Sequence, residues 1–166
     1  MIRAPVKLKN IFTRRTQGKP EPSIETFSEP SFLFVYGTLM RGLRNNPFFE
    51  STAGVQFVRT GEIAGTLYNV SNFPGVKRND GHAEKVQGEI YQIDMPDTIF
   101  ETLDIVEGYN KAVPERSLFI RECVSCPGHG TNGEVLVWVY LYNHPVDKLE
   151  KITSGNYRHY ISPPSS

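Results

Sequence analysis

The stretch FLFVYGTLMRG, Phe32 through Gly42, joins an apolar β-strand to a turn of unusual chemistry. Phe32, Leu33, Phe34 and Val35 are aromatic or branched apolar residues without polar alternation, the mark of a short strand covered on both faces. Such a strand belongs near the middle of a sheet. It stops on Tyr36 and Gly37, and glycine lets the chain turn sharply without a Cβ to block close approach. Consecutive backbone N–H groups freed by such a turn form a nest for a carboxylate or a developing oxyanion. An ordinary strand-ending turn, with Thr38 satisfying its own backbone, fits the same residues.

Working outward, most segments also read as strands. Val135–Leu141 (VLVWVYL) is a second continuous apolar run, whereas 65–70 (GTLYNV), 86–93 (VQGEIYQI) and 116–123 (RSLFIREC) alternate. That alternation places Leu67 and Ile90 on core-facing sides, and Leu118 with Ile120 likewise. Residues 71–82 (SNFPGVKRNDGH) are rich in turn formers and read as an irregular loop. A short helix is expected from Pro47, because proline suits a first helical turn. The expectation is an α+β fold: a small mixed β-barrel with a few flanking helices, spanning residues 31–162.

The clearest helix is 97–110 (DTIFETLDIVEGYN), entered after Pro96, capped by Asp97 and stopped by Gly108. Asp97, Glu101 and Asp104 share one face, read as acidic and solvated. Phe100, Leu103 and Glu107 fall at i, i+3 and i+7, so the last glutamate lies on the apolar face. Desolvation and the negative end of the helix dipole both disfavour its ionised form. A carboxyl poised near neutrality suits a general base that later returns its proton as an acid. A frayed helix end pointing Glu107 into solvent fits the pattern too.

Charge and composition exclude several functions. The chain has 18 basic and 18 acidic side chains. Six of the basic groups and three of the acids lie in residues 1–30, so the folded part is mildly acidic and lacks the basic stripe of a nucleic-acid binder. No apolar run approaches the roughly 20 residues needed to span a bilayer. Residues 1–30 read as a disordered basic, proline-bearing tail or as an organellar transit segment, and 163–166 as a second tail. A cytoplasmic location goes with the first reading and an organellar one with the second. Cys123 and Cys126 form a C-x-x-C pair near His129 and His144, which is either part of a zinc site or a pair of incidental thiols in a hairpin loop. His82 reads as solvated. His159 is a candidate for the edge of a site, and Tyr140, Tyr142, Tyr157 and Tyr160 as pocket or packing aromatics. Arg41 and Arg44 follow the turn and are read either as steering groups for a carboxylate or as surface charge.

VYGTLMRG followed by LDIVEGY resembles the gamma-glutamyl cyclotransferase-like family, in the branch with avirulence-induced plant-type proteins and gamma-glutamylamine cyclotransferases. FPGV, VQGEIY, VWVYLY and SGNYRHY follow in the family order, so the resemblance covers about residues 31–160. It implies the small mixed barrel. It also implies a substrate-binding loop at Tyr36, Gly37, Thr38 and Leu39 and a catalytic glutamate at Glu107. The implied reaction cyclises a gamma-glutamyl amide to 5-oxoproline and a free amine. No metal, organic cofactor, nucleic acid or membrane enters it, and the partner is a small gamma-glutamyl molecule. Where members commonly carry a Tyr-x-Arg-like element after EGY, this chain has KAVPERS with Arg116, a departure at the pocket rim. The YGTL loop also leans away from branches that act on free gamma-glutamyl amino acids or glutathione. A binding or regulatory module on the same fold is the alternative, and the sequence leaves monomer or dimer open.

Overall fold

The computed structural model describes residues 31–79, 84–128 and 133–162. Both expected tails lie outside these residues, as do His82 and His129. The elements in chain order are β1 (Phe32–Val35), α1 (Asn46–Ser51), β2 (Val55–Ala64), β3 (Thr66–Val70), β4 (Phe73–Lys77), β5 (Lys85–Ile93), α2 (Pro96–Val106), β6 (Phe119–Pro127), β7 (Glu134–Tyr142), β8 (Glu150–Lys151) and α3 (Tyr157–Ile161). A single 3-10 turn, Pro114–Arg116, precedes β6.

Five strands form one mixed sheet in the order β2-β5-β1-β7-β6, and β4-β3-β8 form a second, smaller one. β1 sits in the middle, antiparallel to β5 and parallel to β7. Its Leu33, Phe34 and Val35 are all buried, as an unbroken apolar run requires. The large sheet curls until its edges approach. Cys126 Sγ on β6 lies 3.2 Å from the Glu62 carbonyl on β2, and Arg59 donates to the Pro127 carbonyl at 2.7 Å. No ladder of backbone hydrogen bonds joins β2 to β6 among the described residues. The α+β class stands, but the expected barrel is an open one. Its edge strands meet through side chains, and Cys126 and Arg59 occupy places where a closed barrel would have paired backbone.

Several local expectations are corrected. Residues 73–77 are not an irregular loop but strand β4, paired along its length with β3. Phe73 and Val76 supply apolar area that outweighs the turn-forming Pro74 and Gly75. The strand expected at 116–123 runs instead over Phe119–Pro127, with Phe119 buried and Leu118 exposed by about a third. Leu118 is held short of the ladder by its N–H bond to the Gly108 carbonyl. β2 is a ten-residue strand whose alternation is interrupted by a bulge between Phe57 and Arg59, which hides it from a period-2 reading. β6 pairs with β7 in unbroken register. Cys123 and Cys126, three apart on a regular strand, therefore point to opposite faces, an arrangement that does not bring two thiols to one metal.

Helix α2 ends at Val106, four residues before the expected boundary. Met95 rather than Asp97 precedes its first turn, with Pro96 at the start, and Gly108 follows at φ +65° as the C-terminal stop. The helix packs on β6 and β7 through Phe100, whose ring lies 5.8 Å from that of Trp138. Arg121 on β6 fills the space between them, its guanidinium 4.0 Å above the Phe100 ring. Asp104 is therefore not on a solvated face. It pairs with Arg121 at 3.5 Å and accepts a hydrogen bond from the Tyr140 hydroxyl at 2.6 Å. Among the described residues no helix is long and apolar enough to cross a membrane.

Candidate active site

The turn after β1 is built by satisfying its carbonyls from behind. Met40 N–H bonds to the Gly37 carbonyl and Asn45 N–H to the Thr38 carbonyl, both at 3.0 Å. Asn46 Nδ2 reaches the Leu39 carbonyl at 3.0 Å, and Asn45 Nδ2 holds the Thr38 hydroxyl at 2.8 Å. The backbone N–H groups of Gly37, Thr38 and Leu39 meet no acceptor among the described residues. A row of three unmet backbone donors at a cleft has the chemistry of an anion-binding nest.

Gly37 is needed here for close approach rather than for an unusual φ. A Cβ at this position would lie 2.8 Å from Cγ of Pro74 on β4. Gly37→Ala is expected to force the turn away from β4. Overpacking of this kind costs about 1–3 kcal/mol, readable as a lowered midpoint in thermal denaturation. Tyr36 braces the same junction from inside. Its buried hydroxyl donates to the Tyr140 carbonyl at 2.6 Å and accepts from Val76 N–H at 3.4 Å. It thus ties β1 to β7 and β4, and burial with the nearby Glu107 charge raises its pKa far above the ordinary tyrosine value.

Glu107 caps α2 at φ −85°, ψ −3°, its N–H bonded to the Leu103 carbonyl at 2.8 Å. The residue is half-buried. Its carboxylate has no hydrogen-bond or ion-pair partner among the described residues. Burial pushes its pKa from an ordinary 4.5 to about 7, the direction expected for a carboxyl with no compensating charge. Arg121, the cation nearest in sequence on β6, is engaged with Asp104 instead.

One cleft of about 160 Å³ brings these parts together. Tyr36, Gly37, Thr38 and Leu39 line it together with Glu107, and Tyr140, Phe73, Pro74, Phe119 and Leu118 complete it. All five site residues expected from the sequence line it. The sequence profile of the family described as Gamma-glutamyl cyclotransferase, AIG2-like matches residues 33–159. The chain belongs to this family.

Solved structures agree with the fold of this cyclotransferase-family chain. The uropathogenic Escherichia coli protein c4763 is 26% identical over 81% of this chain and 98% of that one, with a TM-score of 0.61. An AIG2-like protein of Mus musculus, GGACT, is 23% identical over 73% of this chain and 84% of its own, at a TM-score of 0.59. YkqA of Bacillus subtilis is 23% identical over 81% of this chain and 42% of that one, at 0.58. No match is found among curated proteins.

Of the other candidates, Tyr140 and Arg44 line the cleft and the rest fall outside it. Arg41 does not face a substrate: its guanidinium stacks 3.4 Å over the Phe57 ring and pairs with Glu89 at 3.3 Å. Arg44 does line the cleft, held by the Asn72 carbonyl at 2.7 Å. Tyr142, Tyr157 and Tyr160 serve packing and hydrogen bonding elsewhere, through Phe119, through each other, and through Asn69 and Glu150. His159 is exposed on α3, its N–H bonded to the Asn156 side chain. Reading the sequence alone passed over Asn45 and Pro74, which shape the turn. Pro74 sits in the FPGV stretch, but only the pairing of β4 with β3 carries it to Gly37.

Proposed function

We propose that this chain is a gamma-glutamyl cyclotransferase, converting a gamma-glutamyl amide to 5-oxoproline and a free amine. The observation that carries the reading is an unpaired, near-neutral carboxyl at Glu107 sharing a cleft with three unmet backbone N–H groups. The amides of Gly37, Thr38 and Leu39 bind the substrate carboxylate. Glu107 accepts a proton from the α-ammonium, because only the free amine has a lone pair to attack with. The amine nitrogen bonds to the side-chain carbonyl carbon and the carbonyl electrons move to oxygen. When the tetrahedral adduct collapses, the carbon–nitrogen bond to the leaving group breaks as Glu107 returns its proton to that nitrogen. The second proton of the ring nitrogen passes to the freed carboxylate and on to the departing amine, which leaves as its ammonium ion. Holding the chain in its cyclising conformer makes the attack effectively unimolecular. Every step is a proton transfer, an addition or an elimination, so the scheme calls on no metal or organic cofactor and needs only a small gamma-glutamyl molecule as partner.

The direct test incubates the protein with gamma-glutamyl amines, gamma-glutamyl amino acids and glutathione and measures 5-oxoproline. Release from at least one class is expected, and release from none would favour a binding module on the same fold. A pH profile adds a second check. Glu107 must be ionised to act as the base, so kcat/KM should climb with pH along a limb centred near 7. A limb near 4.5 would mean that the titrating group is an ordinary exposed carboxylate.

A further inference from the structure

Outside the lining of the cleft lies a buried carboxylate that the proposed chemistry does not use. Glu89 on β5 is 4% exposed and accepts four hydrogen bonds. One oxygen takes the Arg41 backbone N–H at 2.9 Å and the Tyr91 hydroxyl at 2.8 Å. The other takes Arg41 Nε and Arg158 Nη2, both at 3.3 Å. Tyr91 also stands 3.5 Å from Asn46 Nδ2, the group that holds the Leu39 carbonyl. The backbone on either side of Met40 is thus gripped at both its carbonyl and its N–H by one connected network.

We propose that Glu89 is a positioning residue that fixes the Gly37–Leu39 amides in their binding arrangement, through the Arg41 N–H and through Tyr91 and Asn46. The proposal rests on the reading of those amides as the carboxylate receptor. Charge-assisted hydrogen bonds from a carboxylate are stronger and shorter than neutral ones, which is why a carboxylate rather than a carboxamide sits at the hub. A glutamine there has a single carbonyl oxygen, so it serves the Arg41 N–H or the two guanidinium groups, but not both. Arg158 carries the network to α3, so the C-terminal helix and the turn are fastened to the same carboxylate. Arg158 borders a cavity of about 330 Å³, and the Arg41 and Arg158 side chains are 52% and 42% exposed. Water therefore replaces the partner they lose, and Glu89→Gln is expected to fold.

The test compares wild type with Glu89→Gln and with the milder Tyr91→Phe, below the unfolding transition of each. KM for the best gamma-glutamyl substrate should rise about tenfold in Glu89→Gln with kcat within about twofold, the signature of lost uniform binding. Tyr91→Phe should give a smaller rise in the same direction. Amide hydrogen exchange at Met40 and Arg41, the hydrogen-bonded N–H groups of the turn, should quicken at least tenfold in Glu89→Gln while Leu33–Val35 stay protected. Unchanged KM, or a fall in kcat that merely tracks the folded fraction, overturns the assignment. Exchange reads the turn without any substrate, so its failure is separate from a failure of wild type to release 5-oxoproline. Unchanged exchange at Met40 and Arg41 in both variants also overturns it.

Discussion

Glu107→Gln should abolish 5-oxoproline release almost completely while leaving the fold intact, and should make the protein more stable above neutral pH. Glutamine matches glutamate in size and polarity but neither takes a proton from the α-ammonium nor returns one to the leaving nitrogen. Losing general acid–base assistance costs about 10²–10⁴-fold in rate, or about 2.7–5.5 kcal/mol of barrier. The stability change has the opposite sign. Burial raises the folded-state pKa of Glu107 from 4.5 to about 7, so the folded protein prefers the protonated form. That contribution is fully present below about pH 4.5 and is lost as the pH rises through 7. At pH 8 the wild type therefore holds an unfavourable buried charge worth about 2–3 kcal/mol, which glutamine removes. Denaturation at pH 4 and pH 8 should show a gap between variant and wild type only at the higher pH. A variant that turns over substrate at the wild-type rate sinks the assignment of the proton shuttle. One equally stable at both pH values places Glu107 in water rather than in the cleft.

Gly88→Ala is expected to be the most damaging small substitution near the site. Gly88 lies on β5 opposite Gly61 of β2, and an added Cβ would fall 2.3 Å from the Val35 carbonyl oxygen and 2.6 Å from Phe34 Cζ. The first of these contacts is to backbone, so no rotamer change relieves it. β1 must shift, and β1 is the central strand that delivers the binding turn. Overpacking typically costs 1–3 kcal/mol, occasionally more, and a contact with central-strand backbone belongs near the upper end, about 3 kcal/mol. Against a total of about 5–15 kcal/mol, that should lower Tm by roughly 10 °C for a chain of this length. KM should rise as the turn moves. A Tm within about 2 °C of wild type would mean that the two strands separate far more easily than their packing implies. Gly37→Ala, which meets only the ring of Pro74, should be milder.

The contrast between these two glycines shows what a sequence conceals. Both stand in stretches that read as strand or strand end, and nothing in YGTL or VQGEIY says which atom lies across from the missing Cβ. For Gly37 the neighbour is a proline from β4, a strand whose turn-forming composition disguised it as a loop. Asp104 is a similar case. Helical periodicity put it with Asp97 and Glu101 on an acidic face, yet Arg121 and Tyr140 meet it from two strands far away in sequence and draw it inward. Arg41 looked available to a substrate until Phe57 and Glu89 claimed it.

Local order was legible from the sequence because its causes are local. The unbroken apolar run fixed β1 at Phe32–Val35, a proline opened α1, and Gly108 closed α2. The spacing of Phe100, Leu103 and Glu107 turned the glutamate toward the core before any partner strand was known. Only the tertiary structure decided that Glu107 and the Gly37–Leu39 turn line a single cleft. They belong to elements about 70 residues apart in the sequence, and their meeting depends on β1 lying between β5 and β7 with α2 packed over the latter. The tertiary structure also left the barrel open, since strand closure depends on register and twist summed over five strands. The chemistry of each half was written in short motifs, whereas its assembly into a site is a long-range property of packing.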